Sequence, residues 1–308
     1  EPIKPSPLYD SITPEQKNSG RLDYVQVKEW DSLDKGGSVD DLEVKEFSTL
    51  HGEKHGEKQP SDERSSAYEQ LVMHLQTLEA TGQLAVATGR PLPRFEKWVF
   101  GRRQYTQYLV DELAVHSALE SAMSAAISSK GGDKGCIKAL RHIGPDLGIH
   151  RADAIEKDIK QLMLAGVTNR EDLKPGTHAA SYALHLKELG ADASNVTLDD
   201  DQRIQKAANR LIAHAFVLQV THLSTGTRLG AKATEMCNLF PIKAVNFYRS
   251  YPKSVKHPLA AFVEAVNAAG GELTPEALQQ VMDELAPAMQ KTSLLLTPIA
   301  VEGKADKH

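Results

Sequence analysis

Three short stretches of this chain carry side chains that could do chemistry. Leu71–Thr77 reads LVMHLQT, with an imidazole at His74 and a carboxamide at Gln76. Leu211–Lys232 reads LIAHAFVLQVTHLSTGTRLGAK, which places His214 and His222 ahead of the small residues Ser224, Thr225, Gly226 and Thr227. His51 and His55 lie four apart within HGEKHGEK. A neutral imidazole binds metals and moves protons near neutral pH, so each histidine is first a candidate ligand. Spacing sorts them. Gly52 and Gly56 weaken any helix that would bring His51 and His55 together, and a solvated, charged tail accounts for that pair. His214 and His222 are eight apart, hence on similar faces of one helix, where they read as polar core groups rather than as a ligand pair. No metal site is read from the sequence. Asp199, Asp200 and Asp201 stand at a helix start, where carboxylates complement the dipole. Cys136 and Cys237 have no CxxC partner and read as unpaired structural thiols, which fits a reducing compartment.

The elements that must position these groups are almost all helical. Leu211, Ala215, Leu218 and Leu223 recur at helical spacing. The small residues after them need a reason inside a helix, such as another body lying close to the backbone. Helices are predicted over Ser65–Thr81 (Ser61 or Ser65 as N-cap), Gln104–Ser129, Arg151–Ala165, Thr177–Leu189 and Asp199–Asn238. Two more follow: Val255–Ala269, closed by Gly270 and Gly271, and a last helix opened by Thr274-Pro275-Glu276 and running to about Leu296. No period-two strand pattern competes after residue 65, so the expected class is all-α.

Composition limits the rest. The 308 residues are 41% hydrophobic, enough for one large core, but residues 1–64 scatter their apolar positions among Pro, Gly, Ser and charge. Such a segment buries too little to fold alone and is expected to run as an extended polar tail. Residues 65–297 form the expected helical domain, and 298–308 a short C-terminal tail. The formal charge of −5 argues against an electrostatic nucleic-acid binder. Ser293–Val301 is far too short for a membrane span and contains a proline, so no transmembrane segment is expected.

Four of the helical stretches resemble one family in order. Lys97–Glu120 (KWVFGRRQYTQYLVDELAVHSALE) is similar, without a gap, to the Trp-led helix of plant-type heme oxygenases, with Trp98, Tyr105, Leu109, Val110, Asp111, Val115, Leu119 and Glu120 in register. Arg151–Ile159 and Pro175–Leu189 resemble the next two helices of that branch. The run from Leu211 resembles its distal helix, with His214, His222 and Gly226 matching and Thr225 standing where the first of two glycines is expected. The resemblance implies a multi-helical heme oxygenase-like fold over roughly residues 67–297.

It also marks what is missing. The branch places its iron-binding His in a VAMxLHT-like motif on the first helix; matching Met73, Leu75 and Thr77 puts Gln76 at that position. His74 lies two residues away, about 200° around a helix, and cannot substitute from the same face. The family supplies Lys or Arg to the heme propionates from the helix before the last, where this chain has Ala261 and Ala265. The site residues are thus read as a vestigial pocket of Gln76, His214, His222, Thr225 and Gly226, with no catalytic residue and no heme. What the resemblance then implies is a non-catalytic, heme-oxygenase-like protein of the chloroplast, in the stroma or on the stromal face of the thylakoid. Its expected work is as a protein-binding assembly or repair factor at a complex such as photosystem II. Two other readings stay open: an active heme oxygenase that opens heme to biliverdin with ferredoxin as reductant, and a tetrapyrrole binder without turnover. Glu1 in place of Met is expected to reflect a removed targeting peptide or a trimmed terminus. Tyr24, Trp30 and Phe47 are the candidate partner anchors of the tail.

Overall fold

The computed structural model describes residues 66–84, 92–129, 134–169, 173–195 and 201–302, together with two short strands. Those strands, β1 (Gln26–Val27) and β2 (Lys45–Glu46), pair antiparallel with Gln26 opposite Glu46. The body is built of helices: α1 (Ala67–Ala80), α2 (Arg102–Ser128), α3 (Gly135–His142), α4 (Ala152–Leu164) and α5 (Thr177–Ser194). Then come α6 (Asp201–Cys237), the single turn α7 (Asn246–Arg249), α8 (Pro258–Glu272) and α9 (Pro275–Leu294). Trp98, Leu109, Val110, Leu119, Ile155, Tyr182, Phe216 and Leu218, the residues whose spacing marks them as core, are all buried.

Several helix ends differ from the sequence pattern, each for a visible reason. Ser66, rather than Ser61 or Ser65, caps α1, because its hydroxyl accepts from Glu69 N while the Glu69 carboxylate accepts from Ser66 N. Gly190 does not stop α5. It lies inside the helix where α5 crosses α2, and a β-carbon there would stand 2.6 Å from that of Ala122. Gly270 likewise sits inside α8, close against Ala67 of α1. In both cases the glycine permits close helix packing, a role that sequence cannot distinguish from a stop.

Carboxylates from α2 and α4 anchor the starts of α4, α5 and α7. Glu120 Oε1 accepts from the backbone N–H of Arg151 and Ala152 at 2.8 and 3.0 Å, anchoring the start of α4. Asp111 accepts from Gly176 N at 2.7 Å just before α5. Asp158, fully buried, accepts from Asn246 N and Phe247 N at 2.8 and 2.7 Å and so holds α7. These acids fill the role of N-cap side chains from a distance, satisfying donors that the helices leave open. Burial pushes the Asp111 and Asp158 carboxyls up, and those same hydrogen bonds hold the rise in check.

The chain does not leave the body at residue 298. Ile299 is fully buried, Val99 N donates to Val301 O at 2.9 Å, and Lys97 pairs with Glu302 at 2.7 Å. Residues 298–302 of the expected C-terminal tail therefore belong to the body, because the segment after α9 folds back beside Trp98.

Candidate functional site

The long helix α6 carries four of the candidate residues. Its run of hydroxyl residues does not interrupt it: Thr221, Ser224, Thr225 and Thr227 each turn their hydroxyl back onto a carbonyl three or four residues earlier, at 2.5 to 2.9 Å. Those groups are thereby satisfied inside the helix, which continues for 37 residues. Further along, Gly230 gives Tyr248 room to lie on the helix, since a β-carbon would stand 2.6 Å from the Tyr248 ring.

Beside this stretch lies a cavity of about 80 Å³, lined from α6 by Leu218, His222, Thr225 and Gly226, from α2 by Tyr108, Glu112 and His116, and from α9 by Thr292. Phe95 and Trp98 form its rim. The rim is pinned to α6: Lys232 Nζ donates to Phe95 O at 2.7 Å, and the Arg228 guanidinium lies 5.2 Å from the Phe95 ring centre. Trp98 Nε1 donates to Pro93 O at 2.8 Å, which fixes the indole.

His222 is held on two sides. Its ring stacks on Phe247 at 4.4 Å, and Nε2 is 3.0 Å from the Tyr251 hydroxyl. Burial drives its proton affinity well below that of an ordinary histidine, and the cationic Arg151 and neighbouring His116 add to the fall. It is therefore a neutral imidazole at neutral pH. Arg151 is buried, donates to Asn246 O and Ser250 O at 3.1 and 2.7 Å, and stands 4.2 Å over the Tyr251 ring. Across the cavity His116 Nε2 lies 3.4 Å from Glu112 Oε2, with both side chains buried. Chemically the cavity offers a neutral imidazole, an imidazole–carboxylate pair and hydroxyls around a small space. It suits water or a small polar molecule; pockets that enclose drug-sized ligands occupy roughly 300–1,000 Å³.

His214 belongs elsewhere. It is fully buried about two turns earlier along α6, with Nδ1 2.9 Å from the Tyr182 hydroxyl and Nε2 3.2 Å from Glu284 Oε1. Arg210 completes this network with two bonds to Glu284, at 2.9 and 3.0 Å. Burial alone would raise the Glu284 carboxyl, but the hydrogen bonds from His214 and Arg210, with the His185 ring close by, outweigh it and hold the group well below the usual carboxylate range.

Of the five residues read as a pocket, the structure brings together His222, Thr225 and Gly226. Gln76 is not among the residues that line this cavity, whose facing walls come from α2 and α9. The first helix meets α6 through Tyr68, edge-on to Phe216 at 5.9 Å, and Phe216 stacks in turn on Phe262 at 6.0 Å. His74 is half-buried near Asp283 of α9, and burial lowers its proton affinity. Tyr24, Trp30, Phe47, His51 and His55 lie outside the described residues. The sequence reading missed Glu112 and His116 at the cavity, and Tyr251 as the partner of His222. Only the first two left a signal, as an acid and an imidazole four apart on one helix.

The arrangement of a long distal helix over a Trp-led helix matches a known family. The family model for heme oxygenase covers residues 91–291. The chain belongs to the heme oxygenase family. Among solved structures it is similar to heme oxygenase 2 from Chlamydomonas reinhardtii, determined without heme, with a TM-score of 0.53 over 76% of this chain and 98% of that chain. The two are 16% identical, so this likeness speaks for the fold alone. No curated protein matches the sequence. Among the described residues, no helix is long and apolar enough to cross a membrane.

Proposed function

We propose that this heme oxygenase-family chain has given up heme cleavage and acts by binding protein, as an assembly or repair factor at a thylakoid complex such as photosystem II. On this reading it works in the chloroplast stroma or on the stromal face of the thylakoid. The observation that carries the loss of chemistry is at the first helix. An oxygenase needs a strong neutral base to hold iron from one side and leave the other open. Gln76 offers only a carboxamide at that position, and the first helix lies outside the residues that match the family model.

Three further features support the same reading. Tyr68 of the first helix packs edge-on against Phe216 of α6, which in turn stacks on Phe262 of α8. Ala265, where a propionate-binding cation is expected, is buried, and Ala261 carries no charge either. The cavity beside His222, at about 80 Å³, is far below a porphyrin-sized pocket. The residues present do not fit a heme.

The partner role rests on the polar N-terminal segment, whose composition suits ordering on another protein's surface. Removing residues 1–60 and measuring association with isolated thylakoid complexes tests it. The proposal expects most of the binding to disappear, and Tyr24, Trp30 and Phe47 changed to Ala to reproduce part of that loss. Undiminished binding by the shortened chain would move the interface to the helical body. No association by the full chain would end the assembly-factor reading.

A further inference from the structure

We propose that His185, His214 and Glu284 form a divalent transition-metal site, of the class that takes zinc or cobalt, and that Arg210 fills it when no metal is bound. This is independent of the partner role proposed above. The three side chains come from α5, α6 and α9, and their donor atoms all lie within 4.8 Å of one another. His214 Nε2 is 3.2 Å and His185 Nε2 is 4.0 Å from Glu284 Oε1. Donors around a tetrahedral ion with bonds of roughly 2.0–2.1 Å sit about 3.4 Å apart, so the cluster needs to close by at most about 1.4 Å at its widest edge. Two imidazoles and a carboxylate are a borderline set that suits such ions, with water in a fourth position.

The surroundings support metal ligation by His214. Metal-binding imidazoles commonly have their second nitrogen held by a neighbour, and here the Tyr182 hydroxyl stands 2.9 Å from Nδ1. With a carboxylate opposite Nε2, that nitrogen carries the ring proton and Tyr182 donates to Nδ1. Metal on Nε2 needs the other tautomer: the proton sits on Nδ1 and is donated to Tyr182, whose own hydroxyl turns toward Thr292 Oγ1, 3.5 Å away. The ring stays neutral throughout, and burial already disfavours its charged form.

Arg210 occupies the space among the donors. Beyond its two bonds to Glu284, its Nη2 lies 3.3 Å from His185 Nε2. A guanidinium only donates, so His185 Nε2 presents a lone pair to the cluster. A cation is thus already held by the same carboxylate and the same imidazole that a metal would use. The Arg210 side chain is 30% exposed and can swing into solvent as the ion enters.

The test is titration of the full-length chain with Co²⁺, followed by its visible d–d absorption. The protein should carry His51→Ala and His55→Ala so that the tail histidines cannot contribute. One saturable equivalent with bands of tetrahedral strength, displaced by Zn²⁺, is expected. Arg210→Met should tighten binding by about tenfold or more, since it removes competing charge-assisted hydrogen bonds. His185→Ala, at a half-buried position, should abolish the bands while leaving the helical circular dichroism unchanged. Absence of saturable bands in the full chain, or bands undiminished in His185→Ala, would overturn the site.

Discussion

The two halves of α6 are built on different terms. From Leu211 to Val220 every residue is buried, and apart from His214 and Gln219 the side chains are apolar. From Thr221 to Cys237 burial alternates with partial exposure, hydroxyls bond back into the helix, and a cavity opens beside His222. The first half is held by volume, the second by close contacts at single glycines and by fixed polar groups. A family can therefore keep its helix and lose its chemistry: the packing half preserves the fold whatever happens in the cavity half.

On this contrast, the largest stability losses belong to the first half. Phe216→Ala removes a fully buried ring that touches both Tyr68 and Phe262, and should cost about 3–5 kcal/mol in denaturant unfolding. In the second half the sharpest effect is expected at Gly230→Val, where the added carbons meet the Tyr248 ring. A loss of about 1–3 kcal/mol in the same measurement is expected there. Equal losses at the two sites would erase the distinction.

A smaller, pH-dependent effect should come from the buried histidines. His214 and His222 both hold proton affinities below the ordinary value of about 6.5. The unfolded chain then binds more protons than the folded one as the pH falls below that value. Their contribution to stability is complete above about pH 6.5 and shrinks as the pH drops toward their folded values. The melting temperature should accordingly fall between pH 7.5 and 5.5, and His222→Gln should flatten part of that slope. A melting temperature constant across the range would contradict the neutral, buried imidazole beside the cavity.

The same contrast separates what the sequence made legible from what it did not. Helical spacing and stop signals located most helices, and the buried face of α6 follows from Leu211, Ala215 and Leu218 alone. Gly190 and Gly270 misled because a glycine that stops a helix and one that admits a neighbouring helix look alike along the chain. His222, Thr225 and Gly226 could be grouped because they share one helix face. Glu284 could not be joined to His214, which lies 70 positions earlier, nor Tyr251 to His222, because only packing brings them together. Gln76 was placed by analogy with a motif, and the cavity walls turned out to come from α2 and α9.

The smallest stability change is expected at Thr225→Gly, which restores the family's glycine. Thr225 is half-buried and bonded only to its own helix, so the variant should lose well under 1 kcal/mol, about the difference in helix propensity. Gln76→His, alone or with it, should not create turnover, because Ala261 and Ala265 still supply no cation.

Hemin titration of the intact chain, read in the Soret region and followed by reduction with ferredoxin, tests the loss of heme chemistry most directly. The expected result is no saturable Soret shift and no biliverdin. A stoichiometric, histidine-type Soret band that converts to biliverdin under reduction would contradict it, and the chain would then be a working heme oxygenase.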